Sequence, residues 1–473
     1  MLEKLRDQIS KLDDSTVLAL GSQPYRVVKP VRIAFDGRPI ELQMGKQTLH
    51  LYPEIGVTPK PQSECKDWIL VDPNRFYSEV AGFERLKHGQ KILVGRDNER
   101  LDAIFGFPKS VAKRHLTMAN KNGQIAIKPL DSETETYVSR VEDRDQIDRS
   151  MNLSPGNLKH LRKIFGGPVE LLSTEEALAT IEQAIEVFGD ERYRAKDSHG
   201  QPGGVLELPS KPTPVIVGDL HAEVDNLLKV LSVGQYLKGL ESGDAMLLLL
   251  GDTVHGQIHG ALEEMNSSLL MLDLIFKLKL RFPERVFWLR GNHETLDESV
   301  GKVGVPQGLI LREKAQALRG KKYVERLAQC FELLPYVVKT DDFIATHAGP
   351  PRSSGTLKDF VDIRDHPELA WQLTWNRLRS PTRPAGFTKK DVKTFRARLG
   401  VEKRTPLIVS HTPLSHDGTL WTDAGEIKNL HIVYSANRDR LAIFIRVGRE
   451  MVPLEYPAEP ILEFANQMDR AEP

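Results

Sequence analysis

The hydrophobic positions change their spacing twice along the chain. From about residue 30 to 145 they fall in short β-type segments separated by turn signals. These are VRIAF at 31–35, PIELQM after Asp36-Gly37, QKILVG at 90–95, HLTMA at 115–119 and QIAIKPL at 124–130. Asn122-Gly123 predicts a two-residue hairpin between the last two, and Asp36-Gly37 predicts another. Helical periodicity is nearly absent there, which predicts an independent all-β unit built as a sandwich. Between 146 and 210 the pattern turns helical. SPGNLKHLRKIF can start a helix with Ser154 at the cap and Pro155 at its first position. TEEALATIEQAIEVF at 174–188 offers Thr174 as cap, acids in the first turn and apolar residues at helical spacing. KDSHGQPGG at 197–204 reads as a break and puts an inter-domain boundary near 200–206.

After 211, apolar runs of strand length alternate with helical stretches, the pattern of an α/β layer. The longest run, Ala245 to Leu250, predicts a central strand. Residues 260–280 predict a long helix whose Met265, Leu269, Leu272 and Phe276 form a core stripe, and 308–328 and 388–399 predict two more. The last twenty residues read as a trailing surface segment. The expected organisation is an N-terminal segment at 1–29, the β-sandwich at 30–145, a helical bridge and linker at 146–210, an α/β domain at 211–455 and a tail at 456–473.

A chain of 473 residues is too long for one ordinary core, in keeping with several domains. A formal net charge of zero argues against nucleic-acid binding driven by overall charge. Two distant cysteines, Cys65 and Cys330, do not make a disulfide scaffold, and a reducing compartment fits them. MLEKLRDQIS lacks the apolar core of an ordinary signal peptide, and no apolar run reaches membrane-spanning length. The expectation is a cytoplasmic protein without membrane or nucleic-acid partners.

The candidate chemistry lies at the ends of apolar runs. The tract GDLHAEVDN at 218–226 follows Val215–Val217 and leads into a helical pattern, so Asp219 and His221 fall on a strand-to-helix turn, where α/β layers place reactive groups. Four more runs end in a metal-competent residue: LLLLGDTVHG at 247–256, RVFWLRGNHE at 285–294, FIATHAGP at 343–350 and LIVSHTP at 407–413. Taken singly, each of these histidines is more often structural, and Asn292 would be a turn residue. Together, Asp219, His221, Asp252, Asn292, His347 and His411 are a mixed O/N donor set. Such a set suits Mn²⁺, Zn²⁺, Fe or Co, with no thiolate nearby. Asp252 can bridge two ions, which would share a water acidified enough to act as hydroxide on a phosphate ester.

GDLHAEVDNLL, GDTVHG, LRGNHE, THAGP and SHTPLSHDG resemble the successive motifs of the calcineurin-like metallophosphoesterases, and LRGNHE is similar to the serine/threonine phosphoprotein phosphatase branch. The resemblance covers roughly 211–450 and implies an αββα-type sandwich holding two divalent ions, manganese first among the candidates. It assigns Asp219, His221 and Asp252 to one ion and Asp252, Asn292, His347 and His411 to the other. It also implies that His293 protonates the leaving alkoxide. Arg383, in RPAGFT, is implied as a phosphate clamp by its position before the last ligand motif, with Arg377 as its rival. Two departures stand out. The family's GDxVDRG motif reads GDTVHG here, so His255 and Gly256 replace an Asp that orients the acid and an Arg that grips phosphate. His255, Asp225 or Glu294 could take over part of those roles. Ala222 stands where Gly is usual.

The N-terminal half is similar to a forkhead-associated domain, a β-sandwich whose loops bind phosphothreonine peptides. LVGRDNERLD at 93–102, VAKRHLTM at 111–118, NG at 122–123 and LDSETETYV at 130–138 carry the resemblance, through Gly95, Arg96, Lys113, Arg114, His115, Ser132 and Thr136. It implies a phosphate contact from Arg96, a phosphopeptide-binding surface that includes Lys113 and Arg114, and a loop-bracing His115. Ala112, Thr134 and Glu135 depart from the pattern, and an acid beside a phosphate site is electrostatically unhelpful. The expected activity is metal-dependent phosphomonoester hydrolysis, acting on phosphoserine or phosphothreonine in proteins through metal-bridging hydroxide. One alternative substrate is a nucleotide or dinucleoside polyphosphate, for which Trp371 and Trp375 could serve a base. A non-catalytic phosphopeptide-binding scaffold is the reading from another class.

Overall fold

In a computed structural model of the protein, the described residues are 16–54, 67–76, 80–130, 135–141, 155–258, 260–352, 355–415, 418–448 and 450–468. Ser132, Thr134, Ser154 and Cys65 lie outside them. Two compact units emerge, one made chiefly by residues 1–154, the other chiefly by 155–232, 236–446 and 455–473.

Period-two alternation produces the first unit. Ile40–Met44 and Leu116–Lys121 bury every second side chain, so each strand has one face for a core. Five strands form one sheet, in the order Thr16–Leu18, Val31–Ile33, Gln124–Pro129, Leu116–Lys121, Lys91–Val94. Six form the other, in the order Tyr25–Arg26, Thr136–Arg140, Ile40–Met44, Gln47–Pro53, Trp68–Val71, Glu84–Leu86. Leu42, Leu51, Leu70, Val94, Met118 and Ile125 are fully buried. Asn122-Gly123 makes the expected hairpin: both residues have positive φ, 54° and 83°, and Lys121 pairs with Gln124.

Asp36-Gly37 does not make one. Val31–Ile33 pairs with Gln124–Pro129 while Ile40–Met44 belongs to the other sheet, so the chain crosses between sheets here. The Asp36 carboxylate anchors the crossing through Arg38 at 2.7 Å and Arg140 at 2.8 Å. The sheets also begin before residue 30, since Thr16–Leu18 and Tyr25–Arg26 pair into them.

The second unit contains two mixed sheets with helices against them. One includes, in order, Val286–Trp288, Ala245–Leu249, Thr213–Val217 and Arg440–Val447, its first three strands parallel and the fourth antiparallel. Ala245–Leu249 is interior and wholly buried, which is why it reads as an unbroken apolar run. The other runs Arg194–Lys196, Pro202–Glu207, Val337–Lys339, Ile344–Thr346, Leu407–Val409, Leu430–Val433, Leu420–Trp421. The Gly-rich stretch expected to mark a boundary near 200–206 is therefore a strand of this sheet. Gly203 and Gly204 lie so close to the Val361 and Phe360 carbonyls that a Cβ would stand 2.7 and 2.2 Å from them. They mark close packing rather than a linker.

Helices Pro155–Phe165 and Thr174–Gly189 belong to this unit, so the expected bridge is part of the α/β layer. Ser173 rather than Thr174 is the cap, its hydroxyl accepting from Glu176 N at 3.2 Å. The helix expected at 260–280 begins only at Asn266, and its Met265, Leu269, Leu272 and Phe276 stripe is buried. Gln307–Leu333 is interrupted at Gly320, and the third helix spans Lys389–Arg398. The expected surface tail instead completes a strand through Pro457 and folds a helix, Ile461–Gln467, that buries Ile461 and Ala465.

Candidate metal centre

Each of five strands ends a few residues before a polar side chain, and the turns bring those side chains to one point. Asp219 follows Thr213–Val217, Asp252 follows Ala245–Leu249, Asn292 follows Val286–Trp288, His347 follows Ile344–Thr346 and His411 follows Leu407–Val409. All five residues are buried. The backbone is bent to do this. Five of the ten non-glycine residues with positive φ among the described residues are His221, Ala222, Asp252, His255 and His411. Backbone strain of this kind collects at functional sites. Ala222, at φ 62°, explains why glycine suits that position: an L-residue there costs about 1–2 kcal/mol. Gly291 permits the second and third turns to touch, because a Cβ on it would lie 2.3 Å from Asp252 Oδ1.

Asp252 is the hub. Its Oδ2 lies 3.3 Å from His347 Nε2 and 3.9 Å from both His221 Nε2 and His411 Nδ1. Its Oδ1 accepts from His293 N at 2.8 Å. Asp219 Oδ2 is 3.8 Å from His221 Nε2, and its Oδ1 accepts from His411 N at 3.1 Å. His347 Nε2 also stands 3.1 Å from Asn292 Oδ1 and 3.2 Å from His411 Nδ1. Two donor groups result, His221–Asp252–His293 and Asp252–His347–His411, each with its ligand atoms within 4.8 Å of one another. All six residues expected as ligands are thus brought together, and His293 joins them.

The donor set fits divalent cations. His221 Nδ1 is held by the His255 carbonyl at 3.1 Å and His347 Nδ1 by the Leu250 carbonyl at 2.9 Å. Those bonds fix each tautomer and leave Nε2 as the ligand atom. Two buried carboxylates within one cluster repel each other unless a cation is shared between them. Burial, the adjacent Asp252 charge and only partial relief from His347 raise the Asp219 carboxyl toward neutrality. Burial would lower His347, yet the Asp252 and Asp219 carboxylates overcome it and push the ring up to about 9. Metal ligands must be unprotonated, so uptake has to displace these protons. Metal affinity should therefore fall as pH drops from about 9, by roughly tenfold per unit for each proton displaced. Calorimetry in buffers of different ionisation enthalpy would show proton release; affinity independent of pH would contradict this protonation scheme.

Around the ligands, the roles left open by GDTVHG are distributed by geometry. His255 Nδ1 faces His293 Nδ1 at 2.9 Å, so His255 occupies the orienting position beside the expected acid. Its Nε2 is buried and has no hydrogen-bond partner among the described residues. Glu294 instead ties the turns together, accepting from the Asp252 and Gly291 amides at 2.8 Å and the Thr253 amide at 2.7 Å. Asp225 is elsewhere, accepting from Leu462 N at 2.6 Å.

Arg383 and its rival Arg377 are placed differently. Arg383 sits exposed on a tight turn closed by reciprocal Ser380–Arg383 backbone bonds. Arg377 is the guanidinium that reaches a ligand, donating from Nε to His411 Nε2 at 3.2 Å. Both line a cleft of about 620 Å³ with Arg352, Trp371 and Trp375, and Trp375 packs edge-on against His411 at 5.9 Å. Gln257 and Lys302 were not anticipated. Gln257 hydrogen-bonds His221 Nε2, and Lys302 Nζ donates to Gln257 Oε1 at 2.6 Å. Gln257 lies just past a motif and could have been suspected; Lys302 sits in a turn with no periodic signal.

In the first unit, Arg96 Nε donates to the Val111 carbonyl at 2.8 Å, and Lys113 and Arg114 are exposed on the same loop. Buried His115 spans the loop, bonding Thr136 Oγ1 at 2.9 Å and accepting from Ala112 N at 3.3 Å. At Gly95, φ 146°, a Cβ would lie 2.4 Å from the Lys113 carbonyl, so only glycine lets the two loops approach.

Residues 213–435 match the family model for calcineurin-like phosphoesterases. The matched segment contains every residue of the two donor groups. A protein phosphatase 2A catalytic subunit of Dictyostelium discoideum is 31% identical over 145 residues, 31% of this chain and 38% of that protein. The PP2A-like serine/threonine-protein phosphatase PPG1 of Candida albicans is 35% identical over 80 residues, 17% of this chain and 16% of its own. The chain therefore spans well under two thirds of the length of these relatives. Among solved structures, a Saccharomyces cerevisiae protein serine/threonine phosphatase with similarity to human PP5 aligns over 61% of this chain and 91% of its own, at 19% identity and a TM-score of 0.46. Among the described residues, no helix is long and apolar enough to cross a membrane.

Proposed function

We propose that the chain hydrolyses phosphomonoesters, with phosphoserine or phosphothreonine in proteins as substrate. The observation that carries this reading is Asp252, whose carboxylate belongs to both donor groups, as a bridge between two cations requires. When bound, the divalent ions would supply Lewis acidity and a water acidified toward neutral pH. Asp219, His221 and Asp252 would hold one of them, and Asp252, Asn292, His347 and His411 the other. Mn²⁺ is the first candidate, with Zn²⁺, Fe and Co as alternatives.

The chain's own residues do the rest. His293 stands beside the donor cluster, its backbone tied to Asp252 and its ring to His255, placed to give a proton to the departing alkoxide. One of the two facing Nδ1 atoms must donate and the other accept. A neutral His255 thus orients the ring without the anion that an aspartate would provide. Arg377 brings a planar cation to His411's flank, where it can grip phosphoryl oxygens.

Two relatives named as protein phosphatases support a phosphoprotein substrate. Trp371, 59% exposed, lies with three arginines in the adjoining cleft, and this favours a nucleotide or dinucleoside polyphosphate as the second reading. Mn²⁺-stimulated release of phosphate from a phosphothreonine peptide, run beside a dinucleoside polyphosphate, decides between them. The first reading expects the peptide to be the better substrate. Turnover of neither would return the chain to the scaffold reading.

We infer further that the first unit is a forkhead-associated domain that docks phosphothreonine through Arg96, Lys113 and Arg114. The His115 brace and the Gly95 approach support the loop architecture. Titrating the same peptide against wild type and Arg96→Ala tests docking apart from hydrolysis; equal binding would refute it.

A further inference from the structure

The turn that follows the GNHE motif carries a cation, Lys302. Residues 301–306 form a tight hairpin, closed by reciprocal Lys302–Val305 backbone bonds at 3.2 and 2.9 Å. Val303 and Gly304 take positive φ at its tip, 52° and 79°. This geometry leaves Val303 78% exposed and turns the half-buried Lys302 side chain inward. Among the described residues Lys302 forms no ion pair. Its ammonium donates instead to a neutral amide, Gln257 Oε1, at 2.6 Å. The same oxygen takes a weaker bond from Tyr434 OH at 3.3 Å.

That amide leads directly to the donor cluster. Gln257 Nε2 contacts His221 Nε2, the ring nitrogen not used in the bond that His221 Nδ1 donates to the His255 carbonyl. The Lys302 charge therefore sits two hydrogen bonds from His221 Nε2, while Arg377 touches His411. A partly desolvated ammonium without a carboxylate is costly to keep, and its field is strongest where an anion is to be received. Gly256 provides no cation in the motif beside it.

We propose that Lys302 is a phosphate-binding residue of the metallophosphoesterase site, supplying from the 301–306 hairpin the positive charge that GDTVHG lacks. This rests on the phosphohydrolase reading and names a residue of that site. With a cation on His221 Nε2, Gln257 would leave that atom, and Lys302 would exchange its neutral acceptor for a phosphoryl oxygen. Lysine serves here as a movable point charge rather than a fork.

The test measures inorganic phosphate binding to the Mn²⁺-loaded full chain by calorimetry, with the Mn²⁺ half-saturation for each variant. Lys302→Met should weaken phosphate binding by roughly tenfold to a hundredfold, the worth of one charge-assisted hydrogen bond. Lys302→Arg should recover most of it, with Mn²⁺ half-saturation unchanged in both. Gln257→Leu controls for a role exerted only through His221. The proposal is overturned if Lys302→Met binds phosphate like wild type. It is equally overturned if Lys302→Met and Gln257→Leu weaken Mn²⁺ binding alike and phosphate merely follows. Wild type that binds phosphate and turns over while Lys302→Met is unaffected removes only this inference. Wild type that does neither removes the phosphohydrolase reading with it.

Discussion

Replacing Asp252 by Asn should lower metal-stimulated phosphomonoester hydrolysis by at least about 10³-fold, a loss of about 4 kcal/mol in transition-state stabilisation. Asn has the same shape and can keep the acceptor for His293 N, which Asp252 holds at 2.8 Å. What it cannot keep is the second anionic oxygen, which stands 3.3–3.9 Å from His347, His221 and His411. Asp252 alone belongs to both donor groups, so one substitution weakens both. Far-UV circular dichroism should be retained, which separates this effect from unfolding. Hydrolysis of p-nitrophenyl phosphate with added Mn²⁺ reads the outcome. Turnover above a tenth of wild type would mean that Asp252 is not the bridge.

His293→Gln should cost about 10²–10⁴-fold on alkyl phosphates such as a phosphothreonine peptide, the usual worth of a general acid. On p-nitrophenyl phosphate the loss should be far smaller, because that phenolate departs without a proton. The contrast between substrates, rather than the loss itself, is diagnostic. His293 also lies in one of the donor groups, and as a metal ligand it would affect both substrates equally. Equal losses, accompanied by a raised Mn²⁺ half-saturation, would make it a ligand and leave the acid unidentified. The facing His255 ring at 2.9 Å sets a second expectation. His255→Ala should reproduce part of the His293 loss with the same substrate contrast.

The site was legible because its residues sit where strand periodicity stops. Asp219, Asp252, Asn292, His347 and His411 each follow an apolar run, and buried parallel strands announce themselves as such runs. Their convergence is a property of topology, which LRGNHE and its companion motifs supplied by resemblance. Arg377 and Arg383 are six residues apart in an irregular stretch, and no periodicity says which one turns inward. Arg377 touches His411 while Arg383 sits on the closed Ser380–Arg383 turn, and both line one cleft. Lys302 was invisible for a similar reason: a hairpin, not a strand end, aims it. Asp36-Gly37 misled because a turn dipeptide encodes a change of direction but not the sheet that the chain enters next. The 197–207 stretch misled because glycines needed for close packing at Val361 and Phe360 look in sequence like glycines of a linker.

Anomalous diffraction from crystals grown with Mn²⁺ tests the central claim most directly. Two peaks are expected, one at ligand distance from Asp219, His221 and Asp252, the other from Asp252, Asn292, His347 and His411, with Asp252 shared. No peak at these residues, or a single ion that leaves Asp252 on one metal only, would contradict the account.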